Sequence, residues 1–232
     1  MRLAIMQPYI FPYFGYFQLL NLVEKFIIYD DVTFIKKGWI NRNKVLLNGK
    51  EHMFTVPLKN SGQNVLIKDL ELHVNELWIK KFLMTIEHAY SKASYFKKVF
   101  SIIESIVNIN SKHLKDWHIN SFEHIGEYLG INTILEKTSS IYDNCDLKGQ
   151  NRILDICLKE SANHYINPIG GQEMYDKDLF SRNGVKVSFL RSGSLEYLQF
   201  GKYNVTNLSI VDVMMFNSPQ KIKSSFDNFL LV

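Results

Sequence analysis

Three consecutive segments constrain the fold of this chain more than any other part of it: RLAIM at residues 2–6, GYFQLLNLVEK at 15–25 and FIIYD at 26–30. The first reads as a short strand. The second sets Phe17, Leu19, Leu20 and Val23 at helical spacing, and the third is a continuous apolar run closing in acid, the mark of a strand buried on both faces. Strand, helix and strand within about thirty residues make a βαβ unit, whose strands are parallel and whose crossover is right-handed. The loop that follows the first strand therefore sits at a carboxyl end, where open α/β sheets bind their ligands.

Further along, VLLNGKEHMFTV at 45–56 alternates around Asn48-Gly49, a strong hairpin signal, and VLIKDLELH at 65–73 alternates as a further strand would. From Glu76 to Gly130 the period becomes helical, with faces marked by Trp78, Phe82, Ile86 and Tyr90, by Phe96, Phe100, Ile103 and Val107, and by Leu114, Phe122, Ile125 and Leu129. The α/β rhythm then returns: helix 151–162, strand HYINP at 164–168, helix around 177–184, strand VKVSFL at 185–190, helix 208–216 and an amphipathic tail. The expected fold class is α/β, a mainly parallel sheet with flanking helices, an added β-hairpin and a helical insertion. Residues 1–232 read as one compact domain, with 76–130 a helical subdomain in an α/β body made of 1–75 and 131–232.

Charge and cysteine usage narrow the function classes. A net charge of +4 on 232 residues, with basic residues scattered except near 36–50, does not call for nucleic acid as a partner, while a phosphate-bearing small molecule stays open. Cys145 and Cys157 form neither a disulfide framework nor a metal spacing, and none of the seven histidines stands in HExxH or similar spacing, so no metal is expected. The amino terminus lacks the features of a signal peptide, and no apolar run approaches the roughly 20 residues that cross a bilayer, so no membrane span and a cytoplasmic location are expected.

Three windows carry candidate chemistry. In QPYIFPYFGYFQLL, residues 7–20, rigid rings and hydroxyls of Tyr9, Tyr13 and Tyr16 would line a ligand pocket, Pro8 and Pro12 fixing the path, while Phe17 and Phe14 suit the core. In YDDVTFIKKGWINRNK, residues 29–44, neighbouring Asp30 and Asp31 point to opposite faces, so one of them can face a pocket as general base and the other caps or pairs. Lys37 and Arg42 suit phosphate or carboxylate, Trp39 could stack on a base or sugar, and Asn41 and Asn43 can bond hydroxyls; a solvated basic turn is the alternative. In YINPIGGQEMYD, residues 165–176, Gly170 and Gly171 permit close backbone approach after a strand, although the spacing is neither a P-loop nor GxGxxG. His88, near a helix end, is the one histidine worth testing as a proton carrier, and no GxSxG elbow is present.

The runs MQPYIFPYFGYFQLL, FIIYDDVTFIKKGWINRNK, YINPIGG and LSIVDVMMFNS resemble the WbqC-like protein family in order, spacing and total length. The resemblance implies a bacterial enzyme of surface-polysaccharide (O-antigen) biosynthesis, an N-acyltransferase that attaches an acyl or aminoacyl group, glycyl for example, to the amine of a nucleotide-linked dideoxy amino sugar. Gln7, Tyr9, Tyr13, Tyr16, Lys37, Trp39, Asn41, Arg42, Asn43, Asn167, Gly170 and Gly171 are carried over as substrate-binding candidates, and Asp30, Asp31 and His88 stand as catalytic candidates. The acyl donor stays open among a thioester on coenzyme A or an acyl carrier and an adenylate made from ATP, and the oligomeric state is not legible. A looser likeness links the first unit to nucleotidyltransferases and related ATP-using ligases, with Tyr13 and Tyr16 where those enzymes carry the histidines of HxGH. That likeness, or a non-catalytic sugar-nucleotide-binding role, is the alternative.

Overall fold

Leu3, Ala4 and Ile5 of β1 (Arg2–Met6) are all buried, as a strand covered on both faces requires. In this computed structural model, which describes residues 1–59, 61–62, 64–201 and 204–232, β1 lies inside a six-stranded sheet. Its partners are β2 (Lys25–Ile28), β5 (Ile134–Glu136), β6 (His164–Pro168), β7 (Lys186–Ser192) and β8 (Phe229–Leu231), ordered β5-β2-β1-β6-β7-β8. All pairings are parallel except that of β8 with β7. A separate antiparallel hairpin is formed by β3 (Arg42–Leu47) and β4 (Lys50–Thr55), turning at Asn48 and Gly49 with φ of 52° and 72°. Positive φ at both central residues is what the Asn-Gly pair provides.

The period of two along each strand sorts its side chains into two cores. Leu3, Ile5, Ile27, Val187 and Phe189 face α5 (Gly149–Lys159) and α6 (Lys177–Arg182), meeting Ile153, Cys157 and Phe180. Ala4, Phe26, Ile28, Ile166 and Leu190 face the other way, in a cluster shared with α1 (Phe14–Leu22), α4 (Leu114–Leu129), α7 (Ile210–Phe216) and α8 (Pro219–Ser224). The same cluster takes in Ile86 of α2 (Glu76–Tyr90) and Ile103 of α3 (Phe96–Val107), so the helical segment packs onto the sheet's core. Each fully buried Leu, Ile or Phe on these faces contributes about 1.5–3 kcal/mol. Gly130, at φ 66°, ends α4 as a left-handed cap.

Two expectations need correction. Residues 65–73 form no strand: Ile67–Asp69 is a 3-10 turn, and the flanks make isolated bridges to Thr33, Leu58 and His113. Their backbone donors go separately to Asp30, Val32 and Lys112, so Ile67, Leu70 and Leu72 are buried without a ladder. The tail, for its part, includes β8, which adds an antiparallel edge to the sheet. Among the described residues no helix is long and apolar enough to cross a membrane.

Counting only the strands of the main sheet, their order is that of doubly wound dinucleotide folds. Successive strands are laid down on one side of β1 and then, from β6, on the other. The two loops leaving β1 and β6 therefore diverge and open a crevice between them.

Candidate ligand cleft at the carboxyl edge of the sheet

The crevice is present, with a volume of about 430 Å³. Gln7 and Tyr9 enter it from the loop after β1, Tyr29 from the end of β2, Gly149 and Gln150 from the start of α5, and Asn167, Gly170, Gly171 and Tyr175 from the segment after β6. Asn167 is held by its amide, which donates to the hydroxyls of Tyr165 at 2.7 Å and Tyr175 at 3.2 Å. Its Oδ1 receives no hydrogen bond among the described residues, although the residue is only 7% exposed. A Cβ on Gly171 would stand 2.5 Å from that oxygen, so any larger residue there would force the Asn167 side chain to shift; a Cβ on Gly170 would meet nothing within 4 Å. Above the cleft floor, α5 begins without a side-chain cap or an acidic residue in its first turn. Its first N–H groups are thus free to meet an anion at the positive end of the helix dipole.

The phenols around the cleft are proton donors at neutral pH. Burial raises the pKa of Tyr9 and of Tyr175, and it raises Tyr29 in spite of the opposing pull of the Arg152 guanidinium. Among the described lining residues there is no carboxylate, imidazole or thiol. No group of three or more His, Cys, Asp or Glu among the described residues could hold a metal ion.

Asp30 and Asp31 are both buried outside the cleft lining, and their carboxylates converge on Ser139 instead of pointing to opposite faces. Asp30 accepts from Thr138 Oγ1 at 2.7 Å and from the Ser139 amide at 3.1 Å, leaving Oδ2 buried without a partner among the described residues. Burial raises its pKa, against the lowering effect of those hydrogen bonds. Asp31 forms a buried ion pair with Arg152, Oδ2 to Nη2 at 2.5 Å, and accepts from Ser139 Oγ through its other oxygen. Burial alone would raise Asp31, but the bonds from Ser139 and Arg152 and the guanidinium charge outweigh it and hold the carboxyl below its usual range. Asp31 as an accessible general base is therefore corrected: it is enclosed, paired and weakly basic. Asp30 is equally enclosed. Arg152, the partner of Asp31, places its guanidinium carbon 5.0 Å from the centre of the Tyr29 ring, which borders the cleft.

The basic window is largely occupied with its own turn. Arg42 donates from Nε to the Gly38 carbonyl at 2.9 Å and from Nη2 to the Lys37 carbonyl, which corrects its assignment as a phosphate fork. Lys37 sits at φ 62° in an exposed turn and borders neither the cleft nor the spaces beside it, so its phosphate role is corrected too. Asn41 is buried and donates to the Val56 carbonyl at 2.9 Å; Asn43 donates to the carbonyls of Ile10 at 2.9 Å and Phe11 at 2.7 Å. Asn43 thereby fastens the hairpin to the aromatic loop, where Phe11 takes a left-handed φ of 46° that its backbone would not adopt unaided.

Tyr16 is a correction of a different kind. It is 1% exposed, stacks on Phe122 with centroids 5.3 Å apart, and donates its hydroxyl to the Gln7 carbonyl at 3.0 Å. It is core, and the second tyrosine of the HxGH-like stretch is withdrawn from any phosphate. Phe14 and Phe17 are buried as expected. His88 lies on the exposed side of α2 and borders none of these spaces, so it is no proton carrier for the cleft.

Tyr9 has a second side. With Tyr13, Trp39, Asn43 and Asn207 it borders an aromatic slot of about 200 Å³. Tyr13 in turn borders another cleft of about 500 Å³ between the exit of β7 and α7, walled by residues from 192–199 and 204–208. Sequence reasoning missed that cleft, as it missed Tyr29, Gln150, Arg152 and Tyr175. The available signal was the length of the connection from Ser192 to Ile210, since long loops without elements of their own in compact folds tend to be functional.

The chain is similar to "Uncharacterized protein Rv1507c" of Mycobacterium tuberculosis (strain ATCC 25618 / H37Rv), with 28% identity over 225 residues and 93% of each chain covered. No solved structure matches it. The WbqC-like protein family matches residues 7–224, and the chain belongs to that family.

Proposed function

For this WbqC-like chain we propose an N-acyltransferase of the cytoplasm that binds a nucleotide-linked amino sugar in the β1–β6 cleft and acylates its amine, serving surface-polysaccharide assembly. The observation that carries the reading is the seat for a phosphate group: uncapped N–H groups of α5 and the open backbone at Gly170-Gly171, facing each other across one crevice at the topological switch point. Asn167 Oδ1 and the phenols of Tyr9 and Tyr29 supply further neutral contacts there.

The proton balance follows from the residues present. With Asp31 locked on Arg152, no described side chain at the cleft accepts a proton readily at neutral pH. A thioester donor removes the need for one. The sugar amine, as free base, attacks the thioester carbonyl; the C–N bond forms, the C–S bond breaks, and the departing thiolate takes the amine's proton. The expected pH dependence of kcat/KM is a rise through the pKa of the sugar amine, with no limb from a carboxylate. An adenylate donor would release no comparable base.

The test is incubation of the full chain with amino-sugar nucleotides and acyl-coenzyme A, reading mass addition to the sugar, alongside thermal shift with each ligand alone. A Tm rise with the sugar nucleotide, from binding to the native state, and an acylated product are expected. No shift with any sugar nucleotide and no product overturn the reading. Binding without turnover is the second reading, a non-catalytic sugar-nucleotide component, favoured by the absence of a carboxylate, imidazole or thiol among the described cleft residues. ATP-dependent release of pyrophosphate would instead restore the ligase alternative.

A further inference from the structure

The carboxyl edge of the sheet offers more space than a nucleoside diphosphate occupies. Tyr9 is a shared wall of the β1–β6 cleft and the aromatic slot, and Tyr13 and Asn207 are shared walls of the slot and the cleft at the exit of β7. The three spaces therefore run side by side along one rim.

The outer two differ chemically from the first. Among the described residues that border them there is no Asp, Glu, Lys, Arg or His. The described lining consists of rings, neutral polar groups and aliphatic residues such as Leu195, Val205 and Leu208. Trp39 is 40% exposed and Tyr13 37%, and Trp39 is kept in place by the cations of Arg42 and Lys44, 5.8 Å and 5.7 Å from its ring centre. The side chains of Ser194, Asn204, Thr206 and Asn207 and the hydroxyls of Tyr9 and Tyr13 border these spaces. None of them bonds another described residue, whereas Ser192, Tyr197 and Gln199, which also border the larger space, are engaged with Gln18 and Asp212.

We infer that the aromatic slot and the β7-exit cleft form one binding site for a neutral saccharide. Flat rings accept the C–H faces of a pyranose, and unengaged hydroxyls and amides pair with its hydroxyl groups. Among the described residues that border the two spaces an anion would meet no cation, since Arg42 and Lys44 flank Trp39 without bordering either space, and a wholly apolar ligand would strand the amides and hydroxyls. Both volumes suit pieces of a small polar ligand, and the larger falls within the usual range of ligand pockets. The inference deepens the nucleotide-sugar reading, on which it rests for the diphosphate end alone; the saccharide contacts are the slot's own.

The test uses the full chain and two separate probes. Methyl glycosides of N-acetylhexosamines are titrated by saturation-transfer NMR and by tryptophan fluorescence, and UDP is titrated in parallel. Saturable glycoside binding is expected, weakened on the order of tenfold in Trp39→Ala through loss of ring contact, and retained in Trp39→Phe. Asn207→Gly removes the shared amide while tolerating the left-handed φ of 57° at that position, and is expected to weaken the glycoside similarly. UDP affinity should be the same in all three variants. UDP binding without glycoside binding, or glycoside binding indifferent to both Trp39→Ala and Asn207→Gly, overturns the saccharide site and leaves the diphosphate seat standing. Glycoside binding that depends on Trp39 and Asn207, with no UDP binding, upholds the saccharide site and removes the nucleotide from the proposed function.

Discussion

The end of β6 with the segment after it, and the start of β3 with the turn before it, are both rich in amides, glycines and aromatic residues, yet they are built for opposite ends. In the turn, Asn41, Asn43 and Arg42 spend their donors on backbone carbonyls of Val56, Ile10, Phe11, Gly38 and Lys37. After β6, Asn167 spends its donors on Tyr165 and Tyr175 and leaves an oxygen turned to the cleft, while Gly171 clears the approach. Residue type is shared; hydrogen-bond engagement separates a brace from a binding surface. The layer beneath repeats the lesson, since the most suggestive pair of carboxylates is engaged by Ser139, Thr138 and Arg152, with Asp30 Oδ2 alone of their four oxygens unpartnered among the described residues.

The largest effect should come from breaking that layer. Arg152→Ala leaves Asp31 buried and unpaired, and we expect a loss of about 3–5 kcal/mol in urea unfolding. Asp31→Asn should also lower the unfolding midpoint. An Asp31→Asn variant with wild-type stability and no turnover would show that Asp31 is a base after all and would dissolve the distinction drawn above. The pH dependence of unfolding separates the two carboxylates. Asp31, depressed in the folded state, stabilises fully above the unfolded carboxyl pKa of about 4 and loses that contribution as pH falls through its folded value. Asp30, raised in the folded state, behaves inversely: stability declines as pH rises from about 4 through its folded pKa, because the unfolded chain has already released the proton. Asp30→Asn should flatten that decline in urea midpoints taken across the range, and an unchanged slope would contradict the buried, unpartnered Oδ2.

The glycine pair gives an intermediate effect and a sharper contrast. Gly171→Ala forces a Cβ against Asn167 Oδ1, so about 1–3 kcal/mol of stability should be lost and nucleoside diphosphate affinity should fall. Gly170→Ala enters open space and should stay within about 0.5 kcal/mol of wild type. Equal behaviour of the two in calorimetric binding and unfolding would mean that the bend is an ordinary turn.

What the sequence disclosed followed from the range of the interaction concerned. Asn48-Gly49 and the 26–30 run declare themselves because a turn or a doubly buried strand is a local matter. That Gln7, Tyr9, Asn167 and Gly171 border one crevice was legible because topology alone sends the chain leaving β1 and β6 there. The partner of Asp31 was hidden, standing 121 residues away with no spacing rule to link them. Residues 65–73 misled because apolar residues at 65, 67, 70 and 72 come close to the pattern of a ladder although a 3-10 turn breaks the period, and β8 spans only three residues, too few to show a period. The β7-exit cleft is walled by a connection with no period at all.

Lys37 offers the smallest effect and a clean separation. Its φ of 62° is a conformation that glycine adopts without the cost borne by a side chain, and its carbonyl, which receives the Arg42 guanidinium, is backbone and survives substitution. Lys37→Gly should therefore raise stability by about 0.5–1 kcal/mol, in thermal unfolding, with nucleoside diphosphate affinity unchanged. If the ammonium instead held a phosphate, the same variant would gain its stability and lose affinity by about tenfold, the worth of one charge-assisted contact. Because relief of backbone strain acts on the folding equilibrium and a lost phosphate contact acts on binding, a single variant read by two measurements decides whether the basic turn belongs with the braces or with the cleft.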